Sequence, residues 1–156
     1  MKGNTTMDEI KNEVVKVEAV EENDERDTLP TDSSDEVQLA TGKELALKIA
    51  QILDARKAQD IKIINVNKKT IIADYFVIAG GNSRTQVNAL ADEVEYKLGL
   101  EGISPSRVEG RGDGTWVLID FDSVLVHVFG KESRDFYKLE KLWAEGTPVE
   151  FEMTEN

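Results

Sequence analysis

The stretch TWVLIDFDSVLVHVFG, from Thr115 to Gly130, constrains the fold of this chain more than any other segment. It consists of two apolar runs, rich in β-branched and aromatic residues, that meet at Asp122-Ser123. Aspartate and serine favour turns, whereas β-branched and aromatic residues favour strands. The stretch therefore predicts an antiparallel β-hairpin with a two-residue turn.

A two-residue turn assigns each hairpin side chain to one of two sheet faces, because side chains alternate along a strand. The first face is wholly apolar, and its pairs are Phe121 with Val124, Ile119 with Val126, and Val117 with Val128. The second face includes an acid, an imidazole and an indole, and its pairs are Trp116 with Phe129, Leu118 with His127, and Asp120 with Leu125. We expect helices on the first face. For the second, two alternatives stand equal: a surface for another protein, or one covered by a helix of the same chain.

Capping residues and apolar periodicity place the helices. A capping box at Thr41 and Glu44 predicts a helix to about Gln59, and a second box at Ser83 and Gln86 opens another. Gly99 is expected just after the end of this second helix, at C′. A last helix is predicted from about Glu132 to Ala144, with an apolar stripe formed by Phe136, Leu139, Leu142 and Trp143.

Short apolar runs predict three further strands, at residues 61–66, 74–80 and 106–109. With the hairpin, the order of elements becomes αββαβββα. This order predicts an α/β fold with a mixed five-stranded sheet and helices packed on it.

The charge of the chain is concentrated at its ends. The net charge is -12, of which residues 1–40 (12 acidic, 4 basic) contribute -8 and residues 145–156 (4 acidic, none basic) contribute -4. Residues 41–144 therefore carry 15 acidic and 15 basic side chains. We expect disordered acidic tails over 1–40 and 145–156 and one folded domain over 41–144. This neutral domain predicts no direct nucleic-acid footprint.

Other absences narrow the class further. The chain has no cysteine, which excludes disulfides and thiolate metal sites. No apolar run approaches the length of a membrane span, and the N-terminus lacks the pattern of a secretory signal or a transit peptide. We expect a cytoplasmic protein that does not contact membranes.

Three features could carry catalysis, and each has a structural alternative. Gly80, Gly81 and Ser83 precede a helix N-terminus, which favours anions, but they match no phosphate-binding motif and suit a tight strand-to-helix turn better. Asp120 and Asp122 form a D-x-D that could hold magnesium. Together these residues suggest a nucleotidyltransferase-like enzyme as the alternative function. About 40 residues separate the glycine-serine turn from the two aspartates, however, and Asp122 suits a turn.

The third feature is His127, the only histidine, which could be a general base. The chain has no cysteine nucleophile, and no serine stands in a nucleophile-elbow pattern. We therefore favour a partly buried histidine with a structural role. No catalytic residue, metal or cofactor is expected.

Three separated motifs resemble the ribosomal silencing factor family, also called iojap-like proteins. They are DYFVIAGGNSRTQVNALADEVE (Asp74–Glu95), RVEGRGDGTWVLIDFDSVLVHVF (Arg107–Phe129) and SRDFYKLEKLW (Ser133–Trp143). The resemblance extends from about Gly42 to Ala144. Gly80 stands where the family often has Ser or Thr, and Asp122-Ser123 where it usually has Gly-Asp. The second difference makes the D-x-D a feature of this turn and weakens the metal interpretation further.

The resemblance implies a non-enzymatic translational repressor with a nucleotidyltransferase-like fold that lacks catalytic groups. It implies binding to the large ribosomal subunit through large-subunit protein fourteen, steric block of subunit joining, and reduced translation under nutrient limitation. It also implies that the protein can form a homodimer. We predict that the partner-binding patch comprises Trp116, Leu118, Asp120, His127 and Phe129, with Tyr137 at its margin. Arg84 is a weaker candidate that suits a solvated helix end better.

Overall fold

The structure, a computed structural model, describes residues 33–132 and 147–149. Two helices and six strands lie within these ranges. In chain order they are α1 (Ser33–Ala55), β1 (Gln59–Asn65), β2 (Tyr75–Gly81), α2 (Arg84–Gly99), β3 (Arg107–Glu109), β4 (Trp116–Asp120), β5 (Val124–Gly130) and β6 (Thr147–Pro148). None of the helices within these ranges is long and apolar enough to cross a membrane.

The strands form one mixed sheet in the order β3-β4-β5-β2-β1-β6. β2 and β5 pair in parallel, and the other neighbours are antiparallel. The predicted α/β fold and its five strands are confirmed. The sixth strand was not predicted: Thr147–Pro148 pairs with the end of β1, inside a segment that the sequence assigned to an acidic tail. Proline suits such an edge position because it has no amide hydrogen to donate.

Helix α1 begins at Ser33, so the predicted start at Thr41 is wrong. No proline or glycine lies between Ser33 and Thr41, and the helix continues through the sequence of the capping box without using it as a start. Gly42 consequently lies inside the helix, where a Cβ would come 3.3 Å from two ring carbons of Tyr75. This glycine allows α1 to approach β2 closely.

The start of helix α2 is as predicted. Ser83 is its N-cap, and the Ser83 hydroxyl accepts a hydrogen bond from the Gln86 amide at 3.0 Å. The Gln86 side chain in turn accepts from the Asn82 amide at 2.5 Å. The predicted C′ role of Gly99 is wrong, because Gly99 is the last helical residue and Leu100 is the C-cap with right-handed backbone. The left-handed residue after the helix is Gly102, with φ +80°.

The main core lies between the sheet and the two helices. It contains apolar side chains of α1 and α2, among them Ile49, Leu53, Leu90 and Val94, and the first face of the hairpin. The prediction that this wholly apolar face packs on helices is confirmed. Of the last predicted helix, only Glu132 lies within the described residues, and it is helical together with the preceding Lys131.

Candidate functional site

The hairpin of β4 and β5 has the predicted register. All five cross-strand pairs from Trp116 with Phe129 to Asp120 with Leu125 are present. At the turn, the Phe121 amide donates to the Val124 carbonyl at 2.9 Å, and Asp122 has φ 69°. Aspartate tolerates this left-handed conformation better than most residues. Asp122 therefore has a structural role in the turn, as the sequence indicated.

The second hairpin face belongs to a separate apolar layer, which we call the distal cluster. It consists of Ile64, Val66, Ala73, Phe76, Ile78, Trp116, Leu118, Leu125 and Phe129, with His127 among them. Phe76 and Ile78 also contribute to this layer, which was not predicted. The alternation of side chains along β2 could have predicted their contribution, because it places every second residue on the same face.

The predicted partner-binding residues are together in this cluster, but they do not form an open patch. The exposed fraction is 2% for Trp116 and 0% for Leu118, His127 and Phe129. Asp120 is exposed by 8%. These side chains form an interior layer of the free chain, and their role in partner binding stays a prediction. Tyr137 lies outside the described residues.

His127 is held by aromatic neighbours and one hydrogen bond. The Trp116 Nε1–H donates to His127 Nδ1 at 3.1 Å, so the neutral ring carries its proton on Nε2. The ring centroid of Phe76 lies 4.8 Å away, and the ring of Phe129 is nearly parallel at 6.1 Å. Burial lowers the pKa of His127 from 6.5 to about 3. A ring with no solvent exposure cannot reach a substrate, which supports the structural role.

One atom of this cluster remains unsatisfied. Among the described residues, His127 Nε2 has no hydrogen-bond partner. A buried donor without an acceptor costs about 1–3 kcal/mol. The imidazole of His127 is therefore held in place by the hydrogen bond from Trp116, and its Nε2 makes no second hydrogen bond.

Asp120 lies at the margin of the distal cluster, at the end of β4. Its Oδ1 accepts from the Asp122 amide at 2.8 Å, and Arg107 lies opposite it on β3. The Ser106 hydroxyl donates to the Asp120 carbonyl at 3.1 Å. Asp120 is thus positioned by the turn and by the neighbouring edge strand.

The two parts of the nucleotidyltransferase alternative lie at opposite ends of the sheet. Gly81 pairs with Gly130 at the carboxyl end of the parallel pair, whereas Asp120 pairs with Leu125, which pairs with Phe76. Five residues from Leu125 to Gly130 correspond to about 17 Å along a strand. The glycines and aspartates therefore do not converge. Within 33–132 and 147–149, no three His, Asp or Glu side chains form a group that could hold a metal ion.

The glycine turn has a packing role that the sequence did not reveal. A Cβ on Gly81 would lie 2.9 Å from Val87 Cγ2, so the glycine allows α2 to pack against the end of β2. Arg84 is exposed at the first turn of α2, and a pocket beside it is lined by Asn82, Ser83, Thr115, Gly130 and Lys131 together with Gly114 and Glu132.

Gly114 allows a test of the close approach between its own loop and the first turn of α2. Its φ is +70°, and an added Cβ would lie 2.9 Å from Arg84 Cβ. We expect Gly114→Ala to lower the free energy of unfolding by about 2 kcal/mol, through strain and a shifted loop. Gly112→Ala is the matched control, because a Cβ there meets nothing within 4 Å. Urea unfolding should separate the two variants, and equal midpoints would contradict the close approach.

Comparison with known proteins agrees with the fold and the motifs. Residues 39–156 match the family described as "Ribosomal silencing factor during starvation". "Ribosomal silencing factor RsfS" of Halalkalibacterium halodurans is 40% identical over 112 residues, which cover 72% of this chain and 96% of the relative. A crystal structure from Chromobacterium violaceum has TM-score 0.61 and 34% identity and covers 74% of this chain and 93% of that one.

A more distant relative is named for the large ribosomal subunit. It is "Mitochondrial assembly of ribosomal large subunit protein 1" of Mus musculus, which is 33% identical over 98 residues. The match covers 61% of this chain and 43% of the mouse protein. The family match at residues 39–156 extends beyond the predicted domain of 41–144 at both ends.

Proposed function

The chain belongs to the ribosomal silencing factor family, and we propose that it represses translation by blocking the joining of ribosomal subunits. In this proposal it binds the large subunit through large-subunit protein fourteen, near the surface that the small subunit must meet. Occupying that surface lowers translation when nutrients are scarce. The observation that carries the proposal is the family match over residues 39–156.

The physical properties of the domain are compatible with a protein partner. Residues 41–144 carry no net charge, so binding would not depend on a basic footprint for phosphate. The alternative enzyme has its glycines and aspartates at opposite ends of the sheet. We therefore propose a role by steric occupation and not by catalysis.

Within the proposed interface, the six residues of the hairpin and its margin have different roles. Four of them are buried and would support the binding surface without contacting the partner: Trp116, Leu118, His127 and Phe129. Asp120 stands at the margin and would pair with a basic side chain of the partner. Tyr137, from the segment outside the described residues, would add an aromatic contact to the partner. Self-association belongs to the proposal as well, and sedimentation velocity of the purified chain tests it.

A gradient profile of ribosomes with and without added protein tests the function. We expect free subunits to accumulate at the expense of joined ribosomes, and the protein to sediment with the large subunit. An unchanged profile together with no co-sedimentation would contradict the proposal.

The Asp120→Lys variant tests the interface. Reversing a charge at the contact should weaken co-sedimentation with large subunits at least tenfold, because like charges then face each other. Lys131→Glu, a charge reversal at an exposed residue beyond the other end of β5, is the control. If both variants bind large subunits equally well, Asp120 is not part of the interface. Far-UV circular dichroism checks that each variant is folded.

Two alternatives have their own assays. Incubation with labelled nucleoside triphosphates and magnesium should give no transfer, and transfer that is lost in Asp120→Asn would favour the enzyme. A role for the acidic N-terminus predicts that removing residues 1–32 abolishes large-subunit binding, whereas we expect little change. The cut lies before Ser33 because α1 begins there.

A further inference from the structure

A groove lies between α1 and α2, on the solvent side of the two helices. Its volume is about 400 Å³, and the apolar part of its lining is Ile52 and Ala55 of α1. The buried residues of both helices, such as Leu53 and Val94, pack towards the sheet in the main core. The groove is therefore open to a partner without any change in the core.

Positive charge predominates in this groove. Three cations line it, namely Lys48, Arg56 and Lys97. Arg56 donates to Glu93 at 3.0 Å, and Lys97 lies 3.9 Å from the other oxygen of the same carboxylate. Lys48 pairs with Glu101, and both side chains of this pair are nearly half exposed. Three positive charges thus meet two negative ones, which leaves a net charge of +1 at the groove.

Two exposed apolar side chains lie beside the groove. Only three large apolar residues are exposed within the described ranges, and two of them are Tyr96, at 61%, and Leu100, at 67%. They are four positions apart at the end of α2 and are therefore neighbours on its surface. Leu100 is also three positions from Lys97, which lines the groove. We call the groove and these two residues the helical patch.

We propose that the helical patch binds an acidic amphipathic helix of another protein. The two ion pairs across the groove join the helices in opposite chain directions, so α1 and α2 run antiparallel and can receive a third helix between them. From Lys48 to Arg56 the groove extends over eight residues, about 12 Å, which matches about two turns of a partner helix. Apolar side chains of the partner cover Ile52, Tyr96 and Leu100.

The excess of cations selects an acidic partner. Carboxylates beside the apolar stripe of the partner pair with the cations of the groove, whereas a basic helix would place like charges together. The exposed pair of Lys48 and Glu101 contributes little to stability, so Lys48 can exchange its partner for an incoming carboxylate.

The inference is independent of the proposed function, because it concerns the other side of the domain. Helices α1 and α2 pack on the first hairpin face. Asp120 belongs to the second face, in register with Leu125. A protein bound to the helical patch therefore leaves Asp120 free for the ribosome.

A pair of synthetic peptides tests the proposal on the full, unmodified chain. The first is an amphipathic helix of about five turns, with leucines on one side and glutamates beside them. The second has lysines in place of the glutamates. We expect the amide signals of Ile52, Lys97 and Leu100 to shift with the acidic peptide at a concentration at least tenfold lower than with the basic one. The net charge of the chain, -12, favours the basic peptide in general, so the opposite preference requires a local site.

Substitutions in the patch have matched controls outside it. Tyr96→Ala and Lys97→Glu should each weaken binding of the acidic peptide at least tenfold. Ile71→Ala removes the third exposed apolar side chain, and Lys43→Glu reverses an exposed charge about 140° around α1 from Lys48. Both controls should bind within twofold of the parent. Equal effects of patch and control substitutions, or no preference for the acidic peptide, would overturn the proposal; circular dichroism checks folding.

Two other results would assign the patch to a different occupant and also overturn the proposal. If the chain self-associates in sedimentation velocity and Tyr96→Ala abolishes this, the patch is an interface between copies. If Tyr96 shows nuclear Overhauser contacts to residues 1–32 in the free chain, the acidic N-terminal residues of the chain itself occupy it.

Discussion

Trp116→Ala is expected to lower the free energy of unfolding by about 3–5 kcal/mol, the range for removing a buried aromatic side chain. The indole is only 2% exposed, packs against the tilted ring of Phe129 with ring centroids 4.5 Å apart, and supplies the hydrogen bond to His127 Nδ1. Its loss leaves a cavity and a second unpaired nitrogen on a buried ring. Urea unfolding followed by far-UV circular dichroism measures the change.

Two controls separate these causes. Ile71→Ala removes an apolar side chain that is 83% exposed, and it should change the stability by no more than about 0.5 kcal/mol. Trp116→Phe retains much of the volume but loses the hydrogen bond, and it should fall between the other two variants. If Trp116→Ala unfolds at the same urea concentration as the parent, Trp116 is on an open surface in solution, and its burial in the distal cluster is wrong.

The hairpin was predictable because the sequence features that determine it lie within the hairpin itself. Alternation along each strand and turn residues at Asp122-Ser123 suffice to fix the register from Trp116–Phe129 to Asp120–Leu125. The start of α2 at Ser83 was predictable for the same reason, since a cap acts within one turn. The start of α1 was not, because the sequence at Thr41 is equally compatible with the middle of a helix.

The environment of the hairpin could not be predicted from local patterns. Whether Trp116 and His127 are buried or exposed depends on which strands lie beside the hairpin, and β2, which supplies Phe76 and Ile78 to the same layer, is distant in the sequence. Likewise, Gly81 and Asp120 are separated by the length of the sheet because β2 and β5 are parallel and in register. Both facts concern residues that are far apart in sequence.

The same topology affects how the proposed interface can be tested. A substitution at Trp116, Leu118 or Phe129 removes core volume, so loss of ribosome binding by such a variant would not identify a contact residue. Asp120, at 8% exposure, is the least buried of the five described positions, but it is buried as well. Binding assays on the buried positions therefore need a stability measurement beside them.

Stability should fall as the pH decreases from about 6.5 towards 3, because of His127. Burial lowers the pKa of His127 from 6.5 to about 3 in the folded protein, whereas the unfolded chain takes up the proton near 6.5. The unfolded state thus binds more protons throughout this window, and each pH unit costs about 1.4 kcal/mol. Between pH 7.5 and pH 5.0 the loss attributable to this residue is about 2 kcal/mol, measured as the difference in urea unfolding.

Since carboxylates also titrate at low pH, the contribution of His127 has to be isolated. His127→Gln cannot take up the proton, so its stability should decrease between pH 7.5 and 5.0 by about 2 kcal/mol less than that of the parent. The unmodified chain provides a direct check, because His127 is its only histidine and gives a single imidazole signal. That signal should not titrate in the folded protein above pH 5. A midpoint near 6.5 would show that water reaches the ring and that the distal cluster is open.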